Sequence, residues 1–389
     1  MKKKTLITKA ILLILQVFAI QIFAAQPIGY ASLNAFGQNG TTGGEGGPVV
    51  TVNNAKDLLE NISKEGPRII LVSGMINVPG GMHEVSSDKT IAGIGSDAGI
   101  SGGGFNVGLP IDNSIKSPPP NAVHNIIIQN LTFHKASEDN INVMMFSHHI
   151  WIHHNTFKST ADGALDIKRG SSYATVSYNH FIGLHKTALI GHNDGSAAQA
   201  QDIGRLLVTY HHNFFERCQS RQPRVRFGEV HIYNNYYRDI NGYGIGVGAG
   251  AKAYSENNYK EGGGAFCKVM GTASGGLKDV GSIGGASIKP ERVTWNPKDK
   301  YEYKLDPAKD VKSIVSANAG VGKIKLETAR ISSAQMSKKN RNQFLHLPSG
   351  KVNIYNFRGQ RIPELKANHT SGIYLRDYNS NLRPYMHLP

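Results

Sequence analysis

The chain has 389 residues, 40% hydrophobic and 18% charged, with 44 glycines and a formal net charge of +15. So much apolar sequence builds a large core and excludes a disordered chain, while abundant glycine with little charge argues for a turn-rich β protein over a helical bundle. The two cysteines, Cys218 and Cys267, exclude a disulfide scaffold and a Cys/His zinc site, although they allow one disulfide in an oxidising compartment.

Residues 1–25 read as a secretory signal. Lys2, Lys3, Lys4 and Lys9 flank ILLILQVFAIQIF, an apolar run short for a membrane span, and Ala24 and Ala25 offer small residues for cleavage. No later segment is as apolar, so the expectation is an exported protein with no stable membrane insertion after cleavage. Loss of the four signal lysines leaves a net charge of about +11. A basic exported protein points to a polyanionic partner, and export favours an acidic polysaccharide over nucleic acid. A nucleic-acid face would interleave aromatics with cations, whereas the aromatics here follow a repeat.

The glycine-rich GQNGTTGGEGG, residues 37–47, leads into a strand at VVTV, and AKDLLENISK, residues 55–64, has the pattern of an amphipathic helix able to cap an open end. A local pattern then recurs: asparagine, any residue, aromatic. It appears as HNTF, YNHF, HNFF, YNNYY and ENNY, with Asn155, Asn179, Asn213, Asn235 and Asn257 stepping by 24, 34, 22 and 22 residues. Each copy follows a short β-rich run (HHIWIH, YATVSY, RLLVTYH, EVHIY, AKAYSE), and an earlier copy, IIIQNLTF, ends at Phe133. Short turn-bounded strands at a period near 22 residues predict a parallel β-helix, with the asparagines forming an amide ladder and the aromatics stacking in the core. The long step places an insertion at GHNDGSAAQAQD, residues 191–202, where a solenoid builds a binding face.

Within the repeat, DGALDIKRGSS (Asp162 to Ser172) carries two carboxylates four residues apart, followed by Lys168 and Arg169. On a straight strand Asp162 and Asp166 would stand roughly 13 Å apart, too far for one ion, and a bend at Gly163 would bring them together. Carboxylates without His or Cys suit a hard cation, and outside the cell that is calcium; a pair of solvated turn aspartates is the alternative reading. Cations cluster in HKTALIGH and SRQPRVRFG. Lys186 lies 24 residues after Asp162 and Arg221 lies 35 after Lys186, so consecutive coils would set acids, lysine and arginine on one face. Calcium beside several cations makes a site for a polycarboxylate.

From GYASLNAFGQNGTTGGEGGPVVTV to SIVSANAGVGKI, residues 29–324, the chain resembles the extracellular pectate lyases of the β-helical family that also includes pectin lyases; IWIHHNTF, DGALDIKRGS, HKTALIGHND and SRQPRVRFGEVHIYNNYY occur in order. The resemblance implies an all-β, right-handed, single-stranded parallel β-helix that cleaves polygalacturonate by β-elimination. It implies calcium bound by Asp162 and Asp166. Asp139 is the candidate third ligand, with Glu138 and Asn140 as alternatives because the spacing to Trp151 is one residue long. By the same matching, Arg221 abstracts the proton and Lys186 and Arg226 bind uronate carboxylates. Where the family has Trp-Ile-Asp-His this chain has Trp151-Ile152-His153-His154, which leaves open how His153 affects neighbouring groups. A guanidine is an awkward base, since the pKa of arginine exceeds about 12, and nearby cations would have to assist.

The expected organisation is a signal over 1–25, a lyase domain over 26–328, a linker over 329–343 and a small β module over 344–389. KVNIYNFRGQRI and SGIYLRDYN resemble the C-terminal secretion-sorting modules of some Gram-negative bacteria. The protein is expected to act as a monomer. The rival readings are a pectin lyase, against which both Asp162 and Asp166 speak, and a non-catalytic β-helical adhesin, against which Lys186 and Arg221 speak.

Overall fold

The computed structural model describes residues 26–271 and 275–324, together with four strand segments of the C-terminal tail. The expected signal and linker lie outside the described residues. Short β-branched strands cannot bury an apolar face alone, so successive coils stack. The result is an all-β parallel β-helix of about ten turns. Its register is continuous: Ile126, Ile150, Ala174, Val208, Val230, Ala253 and Leu277 form one inward column. All seven are buried. An eight-stranded sheet runs from Met82–Glu84 to Ala265–Val269. The other two legs of each coil merge into one sheet because the long strand Lys89–Ser101 pairs with both His124–Gln129 and Thr132–His134.

The amide ladder runs through Asn155, Asn179, Asn213, Asn235 and Asn258. Each of the first four donates its backbone N–H and its Nδ2 to the Oδ1 of the next. The last rung corrects the sequence reading, which placed Asn257 in the ladder. Asn257 instead takes the left-handed turn position with φ 44°, equivalent to His154, Tyr178, His212 and Asn234 in earlier coils. The ENNY motif offers two asparagines, and backbone conformation, not the spacing to the aromatic, selects between them. The same slip removes Tyr259 from the core stack, which runs Phe133, Phe157, Phe181, Phe215, Tyr237 at centroid spacings of 4.8–5.1 Å.

Helix Ala55–Ser63 is capped by the Asn54 side chain and buries Leu58 and Ile62 against the first coils, as its pattern predicts. The insertion contains a helix, Ser196–Asp202, where the sequence reads as polar turns; it is too short to show helical periodicity. A third helix, Ala308–Asn318, packs Val311 and Val315 on Phe214 and Tyr236. The sheet bearing His148–His153 is covered by chain from both ends of the domain. Ala31 donates to Thr175, and Tyr30 to Thr209. The Tyr301 hydroxyl lies 2.8 Å from Thr209 Oγ1 and 2.9 Å from His231 Nδ1. The glycine-rich entry segment approaches so closely that a Cβ at Gly44 would stand 1.9 Å from the Arg68 carbonyl oxygen. Cys218 and Cys267 are both free thiols.

The compact unit that holds the β-helix is Gln21–Glu327, and Thr328–Pro389 belongs to a separate unit. In the tail, strands Asn353–Tyr355, Arg361–Ile362, Ile373–Arg376 and Leu382–Tyr385 form an antiparallel sheet. Among the described residues no helix is long and apolar enough to cross a membrane.

Candidate active site

The eight-stranded sheet positions the charged residues. Strands Ile141–Val143, Gly163–Ile167, Lys186–Ile190 and Arg224–Val225 are neighbours, with Asn142, Asp166, Leu189 and Arg224 in direct register. Outward side chains therefore run from acid and amide in the earlier coils to cation in the later ones, ending at the exposed Lys268.

Asp139 and Asp166 come together. Asp139 lies just before its strand, where its Oδ1 accepts from the Gly163 backbone N–H at 2.6 Å. A Cβ at Gly163 would stand 2.8 Å from Asp166 Oδ1 and 2.9 Å from Asp139 Oδ1, so both oxygens converge on the space this glycine leaves. Gly163 serves by lacking a side chain. It is not among the left-handed glycines, and the bend expected there is absent. Coil stacking makes the approach, pairing Asp166 with the carboxylate of the preceding coil. Asp166 Oδ1 is buried with no hydrogen-bond partner among the described residues. Burial pushes the Asp166 carboxyl up to about 6; Asp139 adds to the rise, while Lys168 and Arg221 oppose it.

Of the alternatives to Asp139, Glu138 is exposed and Asn140 is wholly buried, its Nδ2 donating to the Ser159 carbonyl and its Oδ1 without a partner among the described residues. Asp162 is more than half exposed, with its Oδ1 2.6 Å from Lys186 Nζ. Among the described residues no three acidic, histidine or cysteine side chains form a ready-made metal cage.

Arg221 sits in a left-handed conformation, φ 63°, at the entry to strand Arg224–Val225. Its carbonyl accepts from Ala188 N at 2.7 Å, and Gln222 N donates to Gly244 O at 2.8 Å, so coils on both sides hold this backbone. The guanidinium of Arg221 has no hydrogen-bond or ion-pair partner among the described residues. Arg226 is buried; its Nε donates to Asp194 Oδ1 at 2.7 Å and its Nη1 to the Gly191 carbonyl at 3.0 Å. Between them Arg224 is half-buried, and burial together with Arg226 and Arg221 lowers its pKa from the ordinary arginine value.

His153 lies on the covered sheet and not on this face. Its ring stacks on Trp151 at 3.7 Å between centroids, its Nδ1 is 2.8 Å from His154 Nδ1, and burial holds its pKa well below the usual histidine range.

Two contributors carried no role in the sequence reading. Lys168, two residues past Asp166 and so on the same side of the strand, puts Nζ 3.1 Å from Asp166 Oδ2 and 3.7 Å from Asp139 Oδ2. That period-two spacing was a readable signal. Asp194 had none, because only the fold of the insertion brings it to Arg226. Helix Ser196–Asp202 further braces the site: Asp202 accepts from Gly170 N, and Gln201 accepts from Arg169.

The fold and this face define a β-helical protein that presents buried carboxylates beside a row of lysines and arginines, a surface for a polyanionic chain. The family model described as pectate lyase matches residues 3–324. A pectate trisaccharide-lyase of Thermotoga maritima is 35% identical over 351 residues, covering 78% of this chain and 90% of the relative. A pectate trisaccharide-lyase of Bacillus licheniformis is 35% identical over 317 residues, covering 76% and 86%. The crystal structure of a pectate lyase from Bacillus sp. N165 in complex with trigalacturonate superposes with a TM-score of 0.63 at 29% identity, covering 77% of this chain and all of that one. The chain belongs to the pectate lyase family.

Proposed function

We propose that this protein is a secreted, monomeric pectate lyase that cleaves (1→4)-α-D-galacturonan by calcium-dependent β-elimination, releasing 4,5-unsaturated oligogalacturonides. The observation that carries the reading is the meeting of Asp139 and Asp166 beside Arg221, unpartnered among the described residues, and the Lys186–Asp162 pair, on one sheet of a pectate lyase β-helix.

The donor set fits calcium. The ligands are carboxylate oxygens, Asp166 Oδ1 is buried without a donor among the described residues, and the space beside Gly163 is lined by two such oxygens. Asp139, Asp166 and Asp162 are the residues that would hold the ion, Asp162 leaving Lys186 to do so. When bound, calcium supplies positive charge to the uronate carboxylate next to the reacting carbon. Lys186 and Arg226 bind uronate carboxylates, Arg226 already oriented by Asp194 and the Gly191 carbonyl. Arg221, which has no hydrogen-bond or ion-pair partner among the described residues, gives up its own proton to solvent and, as the neutral guanidine, takes the proton from C5 on a nitrogen. The C5–H electron pair becomes the C4–C5 double bond as the C4–O bond breaks, and the leaving oxygen takes up a proton. The charge that builds on the carboxylate meets fixed cations and needs little reorganisation.

Residues 1–25 are the export signal in this reading, 26–328 the lyase domain, 329–343 a linker and 344–389 a β module that serves secretion or surface sorting. The test is the near-ultraviolet absorbance of polygalacturonate treated with pure protein. Absorbance should rise with calcium and stay flat in excess chelator. New reducing ends without absorbance would identify a hydrolase instead.

A further inference from the structure

We propose that Lys168 is a built-in cation that occupies the charge position between Asp139 and Asp166, holding the metal-free site together and weakening its affinity for calcium. The inference rests on the calcium reading above and goes beyond it by assigning a residue that tunes the metal.

The Lys168, Asp139 and Asp166 side chains are about one-tenth exposed, at 10%, 10% and 8%. Two carboxylates this far from water and this close together repel each other, and without a cation between them they would drive the coils apart or take up a proton. Lys168 is that cation. Its Nζ touches the Oδ2 atoms, 3.1 Å from Asp166 and 3.7 Å from Asp139, while the Oδ1 atoms turn to the space beside Gly163. Ammonium and metal thus draw on the same two carboxylates through different oxygens. The lysine cannot drift off with its backbone, because Lys168 N donates to the Val143 carbonyl at 2.8 Å, continuing the sheet past the strand end. A divalent ion arriving beside Gly163 therefore meets carboxylates already partly neutralised and a fixed positive charge a few ångströms away. Lys186 does the same for Asp162 at the exposed rim, where water screens the pair more strongly.

The experiment titrates calcium into the full-length mature protein by calorimetry and follows melting in chelator and in calcium. Lys168→Met removes the ammonium and keeps the chain length. Its calcium Kd should fall by about tenfold or more, the scale of one partly desolvated charge pair, while its Tm in chelator drops and calcium restores it. Lys168→Gln also removes the charge, so its calcium Kd should fall in the same way, whereas Lys168→Arg keeps the charge and should leave the Kd within about threefold of wild type. Unchanged or weaker calcium binding in Lys168→Met overturns the proposal while leaving the calcium reading intact. If that variant does not fold, Lys168→Gln decides, and unchanged or weaker binding overturns it. A wild-type protein that takes up no calcium overturns the calcium reading and this proposal with it.

Discussion

Trp151 and Asp166 point outward from the same stack of coils, on different sheets, into opposite surroundings. Around Trp151 the outward side chains lie beneath chain from both ends of the domain. Trp151 Nε1 donates to Ser177 Oγ at 3.0 Å, Ala31 packs on its ring, and His211 and His231 are buried. Around Asp166 the outward side chains include acids and cations, several of them paired with one another, and Lys186, Asp162 and Asp194 reach solvent. Both rows stand over the same apolar core, Ile150 and Ile152 beneath one and Leu165 and Ile167 beneath the other, so the core does not distinguish them. The covering does. A covered row stabilises and is inert; a charged row left to water can exchange its internal partners for a ligand's carboxylates.

The sharpest way to break this comparison is Arg221→Lys. If Arg221 takes the C5 proton, turnover should fall on the order of a hundredfold or more, the loss expected for a misplaced proton-transfer group, with polygalacturonate binding and Tm little changed. Arg224→Lys, on the same face, should cost far less. Equal, small losses in steady-state turnover at both positions would take Arg221 out of the mechanism.

Asp166→Ala comes next. The calcium concentration for half-maximal activity should rise by at least about tenfold while the fold survives in calcium. Full activity of the variant in excess chelator would remove the metal from the charged face.

On the covered face, Tyr301→Phe removes one hydroxyl shared by Thr209 and His231. Chemical denaturation should show a loss of about 1–3 kcal/mol, with turnover unchanged. A large loss of turnover at unchanged stability would mean the two faces are not independent.

Acidification should act mainly through the buried histidines. Burial lowers His148 to about 3 and His154 to about 4, and holds His153, His211 and His231 well below the usual range. The unfolded chain takes up protons below about pH 6.5 that the folded protein refuses, so stability should fall as pH drops from there towards about 4. Asp166, raised to about 6, and Glu84, Asp202, Glu256 and Asp279, also raised by burial, act in the opposite direction in metal-free protein, but five carboxyls stand against nine lowered histidines. Tm measured across this range in chelator should therefore decline; a flat or rising curve would show the covered histidines to be accessible to protons. The smallest effect expected is from ending the chain at Lys325, beyond the last coil and its helix, which should leave turnover within about twofold and Tm nearly unchanged.

The sequence alone determined the repeat, because hydrogen-bonding and packing demands recur with every coil. A buried backbone N–H at the turn needs an amide acceptor, and a stacked core needs a ring two residues later; these requirements are local and periodic, and appear as Asn-x-aromatic. It also placed Asp166, Lys186 and Arg221 on successive coils of one sheet, since parallel stacking converts sequence period into lateral neighbourhood. Tertiary structure decided what period cannot express. Whether Asn257 or Asn258 enters the ladder depends on which residue takes the left-handed turn. Asp166 meets Asp139 of the preceding coil because Gly163 leaves room between adjacent coils. Arg226 is aimed by Asp194 from an insertion outside the repeat, and His153 is removed from the charged face because it belongs to another leg of the coil, under the covering chain. Contacts between coils and across insertions have no fixed spacing along the chain, so only the folded arrangement specifies them.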